Sequence, residues 1–188
     1  MANLPISQLP STTAITKDTL FVCVASGTTY QVKTPYITLG NLHGSFYSTV
    51  SQTAATTTSA YAMSAETTAI SQGVSVVDGS KITVESGGTY NLQFSVQIDK
   101  SGGSVGVISI WFRKNGTNIP YSNTDLTLQN NSNLLVAAWN FVEELEAGSY
   151  LEIMWSTTNT NAYLVYNGTQ TNPTRPETPS VIITMTQV

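Results

Sequence analysis

The sequence contains few charged side chains. Lys and Arg number 7 and Asp and Glu number 11 among 188 residues, so charged residues make up 10% of the chain and the formal net charge at pH 7 is -4. Binding to DNA or RNA depends on clustered cations that neutralise phosphates. The sequence has no such cluster, which argues against a nucleic-acid partner.

Cysteine and histidine are each represented by one residue, Cys23 and His43. One cysteine cannot form a disulfide within the chain, and the two residues cannot supply the four ligands of a structural zinc site. Cys23 lies in an apolar run and is predicted to be a small buried side chain. His43 is predicted to lie in a loop, where nothing would hold it rigidly as the base of a Ser-His-Asp triad.

The sequence also lacks a convincing pair of catalytic carboxylates. Glycoside hydrolysis requires two carboxylates that face each other across the substrate. The densest acidic stretch, Glu143, Glu144 and Glu146, falls where a predicted strand enters a turn, which is typical of a solvated edge. We therefore predict that the chain is not an enzyme and has no catalytic residue, no bound metal and no cofactor.

Long apolar runs are missing as well. No stretch reaches the roughly 18–20 apolar residues needed to span a bilayer, and the first residues do not form a basic region followed by an apolar one. We predict a protein that is made in a cytoplasm and has no membrane partner.

Residues 1 to 44 are predicted to form an attachment segment. Near its start, Pro5 and Pro10 rule out a helix and favour an extended strip for the apolar side chains around them. Further on, two β-rich runs flank Ser26-Gly27-Thr28, which is a hairpin signal.

A hairpin of this kind is at best marginally stable in isolation. It is therefore expected to bind the surface of a partner protein. The residues predicted to make the attachment are Leu4, Ile6, Leu9, Leu20, Phe21, Val22, Tyr30 and Val32.

Residues 45 to 58 are rich in Ser, Thr and Ala and are predicted to be a linker. The remaining residues, 59 to 188, are predicted to form a single all-β domain. Its clearest strand is residues 90 to 98, where large apolar side chains alternate with polar ones at a period of two. Further strands are predicted at residues 59–64, 81–84, 105–114, 134–143, 150–155, 161–166 and 181–188, with Gly and Asn turns between them and no helical period. This pattern favours an antiparallel sandwich or barrel.

Two of these strands carry apolar residues on both faces. In residues 105 to 114, Val107 and Trp111 lie opposite a row of Ile and Phe; in residues 134 to 143, Val136 lies opposite Trp139. The second face could be covered by a neighbouring subunit, by the Ser/Thr-rich segment or by a long loop. Because exposed apolar patches commonly mark association surfaces, burial between subunits is the favoured alternative.

Several aromatic residues could instead stack on a sugar ring. The candidates are Tyr121, Trp155, Tyr163 and Tyr166. Packing in the core or at an interface is the favoured role for them.

Taken together, several motifs resemble the C-terminal domain of bacteriophage virion proteins over roughly residues 58 to 188. They are the stretch 73–84 (GVSVVDGSKITV), the stretch 87–95 (GGTYNLQFS), Trp111 to Thr117, Trp139-Asn140-Phe141, Ala147 to Tyr150 and Arg175 to Ile182. Their spacing also resembles the jelly roll of complement C1q and tumour necrosis factor (TNF), and residues 4–10 and 18–32 resemble the N-terminal segments of phage fibre and appendage proteins.

This resemblance implies an all-β antiparallel jelly roll, preceded by an extended segment with a β-hairpin, that assembles as a homotrimer in a virion after synthesis in the cytoplasm of a bacterial host. The implied function is that of a capsid decoration protein, either a cement protein or a head fibre, attached through residues 1–44 to the major capsid protein or another virion protein. The alternative is a tail fibre or tail-tip protein that recognises host surface polysaccharide.

In the family, subunit contacts come mainly from the sheet whose strands match residues 90–98, 150–155 and 181–188. The outward face of the first strand is polar here, and the two doubly apolar strands are expected in the other sheet. A polar interface, a different assembly, or contact of Trp111 and Val136 with the N-terminal region all remain open at this point. The residues predicted at the subunit interface are Val107, Trp111, Val136, Met154, Ile182 and Thr184.

Overall fold

The computed structural model describes residues 20–33, 42–129 and 134–188. It divides the chain into two compact units, with the boundary between residues 40 and 41. The described part of the first unit is a β-hairpin, and the second unit is an all-β sandwich.

The hairpin consists of β1 (Leu20–Ala25) and β2 (Thr28–Lys33), which pair antiparallel. Ser26 and Gly27 connect them with φ angles of 50° and 78°. Positive φ at both central residues is the geometry of a type I′ turn, whose twist matches that of the flanking strands. The predicted hairpin is confirmed, with the second strand starting one residue earlier.

The second unit is built from short and long strands joined by turns. Their bounds are β3 His43–Ser48, β4 Gln52–Thr53, β5 Tyr61–Ala62, β6 Thr67–Gln72, β7 Val74–Val77, β8 Lys81–Val84, β9 Gly88–Lys100, β10 Gly106–Lys114, β11 Thr117–Asn118, β12 Thr124–Leu128, β13 Leu135–Leu145, β14 Tyr150–Thr157, β15 Ala162–Leu164, β16 Gln170–Thr171, β17 Thr174–Arg175 and β18 Val181–Gln187.

These strands form two seven-stranded sheets and one small hairpin. The first sheet has the order β4-β15-β9-β18-β3-β6, with β13 paired along the other edge of β9. The second sheet has the order β11-β10-β14-β8-β7, with β12 paired to β10 and β5 to β14. β16 and β17 pair with each other. All the pairings are antiparallel, as predicted.

The core lies between the two sheets. From β9, the inward side chains Tyr90, Leu92, Phe94, Val96 and Ile98 are all buried, which confirms the period of two read from the sequence. Facing them are the inward rows of β10 and β14.

An aromatic cluster joins the two sheets on the side of the core where β13 lies. The rings of Phe94 and Phe112 meet edge-on with their centroids 5.9 Å apart, and Phe112 stacks on Phe141 at 4.4 Å. Phe94 also meets Trp139 edge-on at 4.6 Å. Since Phe112 belongs to the second sheet and the other three residues to the first, these contacts fix the spacing of the sheets.

The sandwich begins earlier than the sequence predicted. β3 pairs with β18 along one edge and with β6 along the other, and its inward residue Phe46 is fully buried. β4 pairs with β15. The prediction of a linker at residues 45–58 is therefore wrong, and so is the extension of the attachment segment to residue 44. The strand was missed because Phe46 is its only large inward side chain, between Gly44 and Ser48.

The predicted grouping of strands also needs correction. β14 pairs with β10 and β8 in the second sheet, so residues 150–155 are not in the sheet that contains β9 and β18. β13 pairs with β9 over its whole length and belongs to the first sheet. The two doubly apolar strands thus lie in different sheets.

Lys100 ends β9 as a buried cation, 1% exposed. Its ammonium group donates hydrogen bonds to the carbonyl oxygen of Ser104, at 2.8 Å, and to that of Gln129. The side chain therefore links two loops to the end of the longest strand, and the buried ammonium group has hydrogen-bond partners of its own.

Replacing Lys100 by Met should lower the free energy of unfolding by about 1–3 kcal/mol, because the apolar stem is kept while two charge-assisted hydrogen bonds between the loops and β9 are lost. Urea denaturation followed by circular dichroism would measure the change. Lys81→Met is the matched control, since its partner Asp78 is exposed and their ion pair contributes little. Equal stability of both variants with the native chain would show that the Lys100 contacts add nothing.

Candidate interaction surfaces

The residues predicted at the subunit interface lie on two opposite surfaces of the sandwich. Val136, Ile182 and Thr184 are on the outward face of the first sheet, in β13 and β18. Val107 and Trp111 are on the outward face of the second sheet, in β10, and both are half-buried. The six predicted residues therefore cannot belong to one continuous surface of a single chain.

Met154 is excluded from the predicted interface by burial. It lies between Trp111 of β10 and Ala62 of β5 in the second sheet and is 2% exposed in the single chain. Its side chain is not accessible to a partner subunit, so this prediction is wrong.

The outward face of the first sheet is the more extensive surface. Four strands, β3, β18, β9 and β13, lie side by side, and their outward side chains fall into register. We call this set of residues the uncharged face. It consists of His43, Ser45, Tyr47, Asn91, Gln93, Ser95, Gln97, Val136, Ala138, Asn140, Val142, Ile182, Thr184 and Thr186. None of these residues is Asp, Glu, Lys or Arg; the charged outward residues at the ends of β9 and β13, Asp99 and Glu144, lie beyond its two limits.

The register places apolar residues in the middle row of the uncharged face. Tyr47 is opposite Ile182, Ile182 is opposite Ser95, and Ser95 is opposite Ala138. The adjacent row is polar and contains Thr184 between Ser45 and Gln93.

Exposed apolar side chains are concentrated on and beside this face. Val136 and Val142 are 59% and 52% exposed, and Ile182 is 40% exposed. At the edge of the sheet, Ile70 of β6 pairs with Ser45 and is 57% exposed. Charge depletion combined with accessible apolar side chains is typical of the buried centre of protein interfaces.

The outward face of the second sheet has a charged half. The Glu152 carboxylate is nearly buried and accepts hydrogen bonds from Arg113 Nε at 2.9 Å and from the Ser80 hydroxyl at 3.0 Å. Nearby, Lys81 pairs with Asp78 at 2.7 Å. This half resembles an ordinary solvated surface and has no continuous apolar patch.

The other half of the same face contains an aromatic depression of about 390 Å³. It is lined by Ser109, Trp111, Asn118, Ile119, Tyr121, Asn123 and Ser156. The Trp111 indole N–H donates a hydrogen bond to Asn118 Oδ1 at 2.8 Å, which fixes the orientation of the ring. Tyr121 projects fully into solvent from the loop between β11 and β12.

The carboxylate of Asp125, next to the depression, fixes two of the polar side chains that line it. Hydrogen bonds from Ser109 and Asn123 hold the pKa of Asp125 below its usual value, so this carboxylate is ionised at neutral pH and accepts from both side chains. Asn123 and Ser109 are therefore held in place rather than free to rotate.

Comparison with known proteins defines the fold of this sandwich. No family model matches the sequence, and no curated protein matches it. The chain is similar to the crystal structure of murine APRIL at pH 8.5, with a TM-score of 0.50 and 10% sequence identity, over 79% of this chain and 100% of that chain. APRIL is a jelly-roll protein of the TNF family.

The sandwich is a TNF-like jelly roll. This confirms the fold class that was predicted from the strand pattern and the motif spacing.

The other aromatic residues proposed to stack on sugars do not converge in the jelly roll. Trp155 is 1% exposed in the core. The Tyr163 hydroxyl binds Asp99 at 3.3 Å and that of Tyr166 binds Glu177 at 2.6 Å, and the second contact raises the pKa of Tyr166. Tyr121 is the one candidate that is fully exposed, and its neighbour Trp111 was assigned to a different role.

Most of the acidic side chains of the jelly roll have partners within the domain. Glu143 forms an ion pair with Lys114, with 2.9 Å between Glu143 Oε1 and Lys114 Nζ, which links β13 of the first sheet to β10 of the second. Among residues 20–33, 42–129 and 134–188, no group of three or more His, Cys, Asp and Glu side chains could hold a metal ion. His43 lies in β3 rather than in a loop. That the chain is not an enzyme stays a prediction.

The predicted attachment residues belong to the first unit. Leu4, Ile6 and Leu9 lie outside the described residues, as do the side chains of Leu20, Phe21, Cys23 and Val32. In the hairpin, Val22 pairs with Gln31 and Tyr30 with Cys23, and Val22 and Tyr30 are both at least half exposed. In the described parts of the chain, we find no helix of the length and apolar character needed to cross a membrane.

Proposed function

We propose that this chain is a non-enzymatic structural protein of a bacteriophage virion, a homotrimeric capsid decoration protein of the cement or head-fibre type. The observation that supports it most is the uncharged face of the jelly roll. The resemblance of the sequence motifs to phage virion proteins supports a location in a virion. The uncharged face supports self-association of the chain.

The uncharged face suits contact with copies of the same chain. Its accessible apolar residues gain free energy when they are buried, and no charged group on it would have to be desolvated. The polar positions around Ile182, such as Thr184 and Ser95, can hydrogen-bond across an interface. A closed threefold arrangement would bring one such face from each subunit towards a common axis.

The first unit supplies the attachment to the particle. Val22 and Tyr30 point to opposite sides of the hairpin, because Val22 is paired with Gln31 and Tyr30 with Cys23. Both sides of the ribbon therefore offer an exposed apolar side chain to a partner. The partner is the major capsid protein or another virion protein.

A trimer of this design fits the threefold positions of an icosahedral shell. A protein that binds the assembled lattice and not its dissociated subunits stabilises the shell by mass action. This is the physical basis of a decoration or cement function.

The proposal is tested by the copy number of the chain in purified particles, measured by quantitative mass spectrometry against the major capsid protein. A copy number comparable to that of the capsid protein is expected. Sedimentation of the isolated chain should give three times its mass of 20.1 kDa. A monomer or dimer would refute the trimer, and a copy number far below that of the capsid protein would refute decoration.

The second candidate function is that of a tail fibre or tail-tip protein that recognises host polysaccharide. It is favoured by one observation, the presence of both Trp111 and the exposed Tyr121 in the lining of the aromatic depression. A very low copy number together with tail location would make it the leading function.

A further inference from the structure

We infer that the aromatic depression on the second sheet is a binding site for neutral saccharides. The inference does not depend on where the chain sits in a virion, since it concerns the jelly roll alone. It rests on the strained conformation of Tyr121, on the rigidity of its loop and on the chemistry of the lining side chains.

Tyr121 adopts a backbone conformation that a bulky residue rarely takes. Its φ is +62°, in the left-handed region, and its side chain is fully exposed. The conformation is unfavourable for a residue with a Cβ and a large ring. No burial of the ring offsets this, so packing of the single chain gives no reason for a tyrosine at this position. Strain without a packing role is the kind of feature that points to a binding function.

The loop that carries Tyr121 is anchored and not loose. Ser122 is buried, its hydroxyl donates to the carbonyl of Ile119 at 2.8 Å, and it accepts a hydrogen bond from the Phe112 amide at 3.1 Å. The Ile119 amide donates in turn to the carbonyl of Phe112 at 3.0 Å. The Tyr121 ring is therefore presented from a fixed turn, which lowers the entropy lost when a ligand binds.

The depression combines two aromatic rings with amide and hydroxyl groups. Trp111 is oriented by its hydrogen bond to Asn118 Oδ1. Among the described residues, the side-chain nitrogen of Asn118 donates no hydrogen bond and is left as a donor for a ligand. Asn123 donates to Asp125 and keeps its own carbonyl oxygen as an acceptor. Ser156 adds a hydroxyl. Aromatic faces pack against the C–H faces of a sugar, while amides and hydroxyls bind its hydroxyl groups.

The charge of the site selects the class of saccharide. None of the seven lining side chains is cationic, and the ionised Asp125 carboxylate lies beside Ser109 and Asn123. A sulfated or carboxylated sugar would be repelled and would find no ion-pair partner. Neutral sugars are therefore the ligands that this chemistry fits.

The volume of about 390 Å³ is at the lower end of the range of about 300–1,000 Å³ that is typical of small-molecule sites, and the depression is open to solvent. We expect weak binding at each site, with a Kd on the order of 1 mM. In the proposed trimer the same site would occur three times, which would raise the strength of attachment to a polysaccharide by avidity.

The test uses the full chain and saturation-transfer NMR with three neutral trisaccharides, namely maltotriose, mannotriose and N-acetylchitotriose, and with trigalacturonic acid as the anionic comparison. Binding is expected for at least one neutral trisaccharide and not for trigalacturonic acid. Trp111→Ala and Tyr121→Gly should each weaken it at least tenfold, and Tyr163→Ala, an aromatic change on the other sheet, should leave it unchanged.

Tyr121→Gly is the decisive variant because it should not harm the fold. Glycine accepts a positive φ, so the melting temperature should stay the same or rise while saccharide binding is lost. No binding of any neutral trisaccharide, or binding that survives both Trp111→Ala and Tyr121→Gly, would overturn the inference. A fall in melting temperature with Tyr121→Gly would also overturn it, since it would show that the tyrosine has a structural role.

Discussion

A chain that starts at residue 41 should fold, whereas a chain that starts at residue 49 should not. The first truncation removes the whole of the first unit and leaves the jelly roll intact. The second also removes β3, which lies between β18 and β6 in the first sheet. The two truncated chains differ by eight residues, yet the first is expected to unfold cooperatively on heating and the second is expected not to fold at all.

The size of the effect follows from what β3 contributes. Phe46 is fully buried, and truncating such a side chain alone costs about 3–5 kcal/mol. Removing the strand also takes away the backbone partner along one edge of β18, whose residues Val181, Ile183 and Met185 are part of the core. The total exceeds the margin of about 5–15 kcal/mol by which domains of this kind are stable.

Thermal unfolding followed by circular dichroism, and one-dimensional NMR of both truncated chains, would measure the outcome. Phe46→Ala in the full chain is the matched control and should lower stability without preventing folding. Loss of folding in the chain that starts at residue 41 would show that the first unit is needed for the jelly roll. In the proposed function, that shorter chain should fold and associate but no longer join the particle.

The strands that could be predicted from the sequence are those with a strong period of two. In β9 every second residue from Tyr90 to Ile98 is large and apolar, and the strand was placed correctly within two residues at each end. The hairpin turn at Ser26 and Gly27 could be predicted too, because the residues that accept positive φ are few.

β3 could not be predicted because its stabilisation comes from distant parts of the chain. Its inward positions are Gly44, Phe46 and Ser48, which do not form an apolar row. A Cβ at Gly44 would overlap the Phe46 ring, so even the glycine reflects packing that appears only when the strand is in the sheet. Its partner β18 is more than 130 positions away in the sequence, at residues 181–187.

The interaction surfaces were predicted only in part for the same reason. The sequence placed Val136 on the opposite face of its strand from Trp139 and predicted it at a subunit interface. The strand that lies beside β13 could not be predicted, because β9 and β13 are separated in the sequence by β10, β11 and β12, which all belong to the second sheet. Because β13 lies next to β9, the outward apolar residues of β13 are on the same face as the polar outward residues of β9. The sheet that contains β9 therefore has apolar residues on its outward face, which the sequence of β9 alone did not indicate.

The aromatic depression could also be predicted only in part from the sequence. Tyr121 was named among four aromatic residues that could stack on a sugar, although packing was the favoured role for them, and Trp111 was assigned to a subunit interface because it lies on the second apolar face of its strand. The two residues are brought together by the anchored turn around Ser122. A turn fixed by hydrogen bonds from a side chain to β10 leaves no periodic signal in the sequence.

Replacing Ile182 by Asp should convert the trimer into folded monomers. Ile182 lies in the middle row of the uncharged face, between Tyr47 and Ser95, and its side chain is directed away from the core of its own chain. The monomer should therefore tolerate the change. In a trimer, the carboxylate would be buried on each subunit without a cation to pair with, because no Lys or Arg belongs to the face.

Burial of an unpaired charge costs several kcal/mol after relaxation. Each 1.4 kcal/mol changes an equilibrium constant tenfold, so association should be weakened by at least about a thousandfold. Sedimentation velocity of the native and variant chains at micromolar concentration would show the loss of the trimer. Circular dichroism and thermal unfolding would confirm that the fold is retained.

Val77→Asp is the matched control. Val77 is an apolar residue of β7 in the second sheet, and its exposed fraction, 43%, is close to the 40% of Ile182. The same new charge at this position should leave the trimer intact. If Val77→Asp dissociated the assembly and Ile182→Asp did not, the subunits would have to meet through the second sheet. The aromatic depression would then be a contact between copies of the chain rather than a surface open to saccharides.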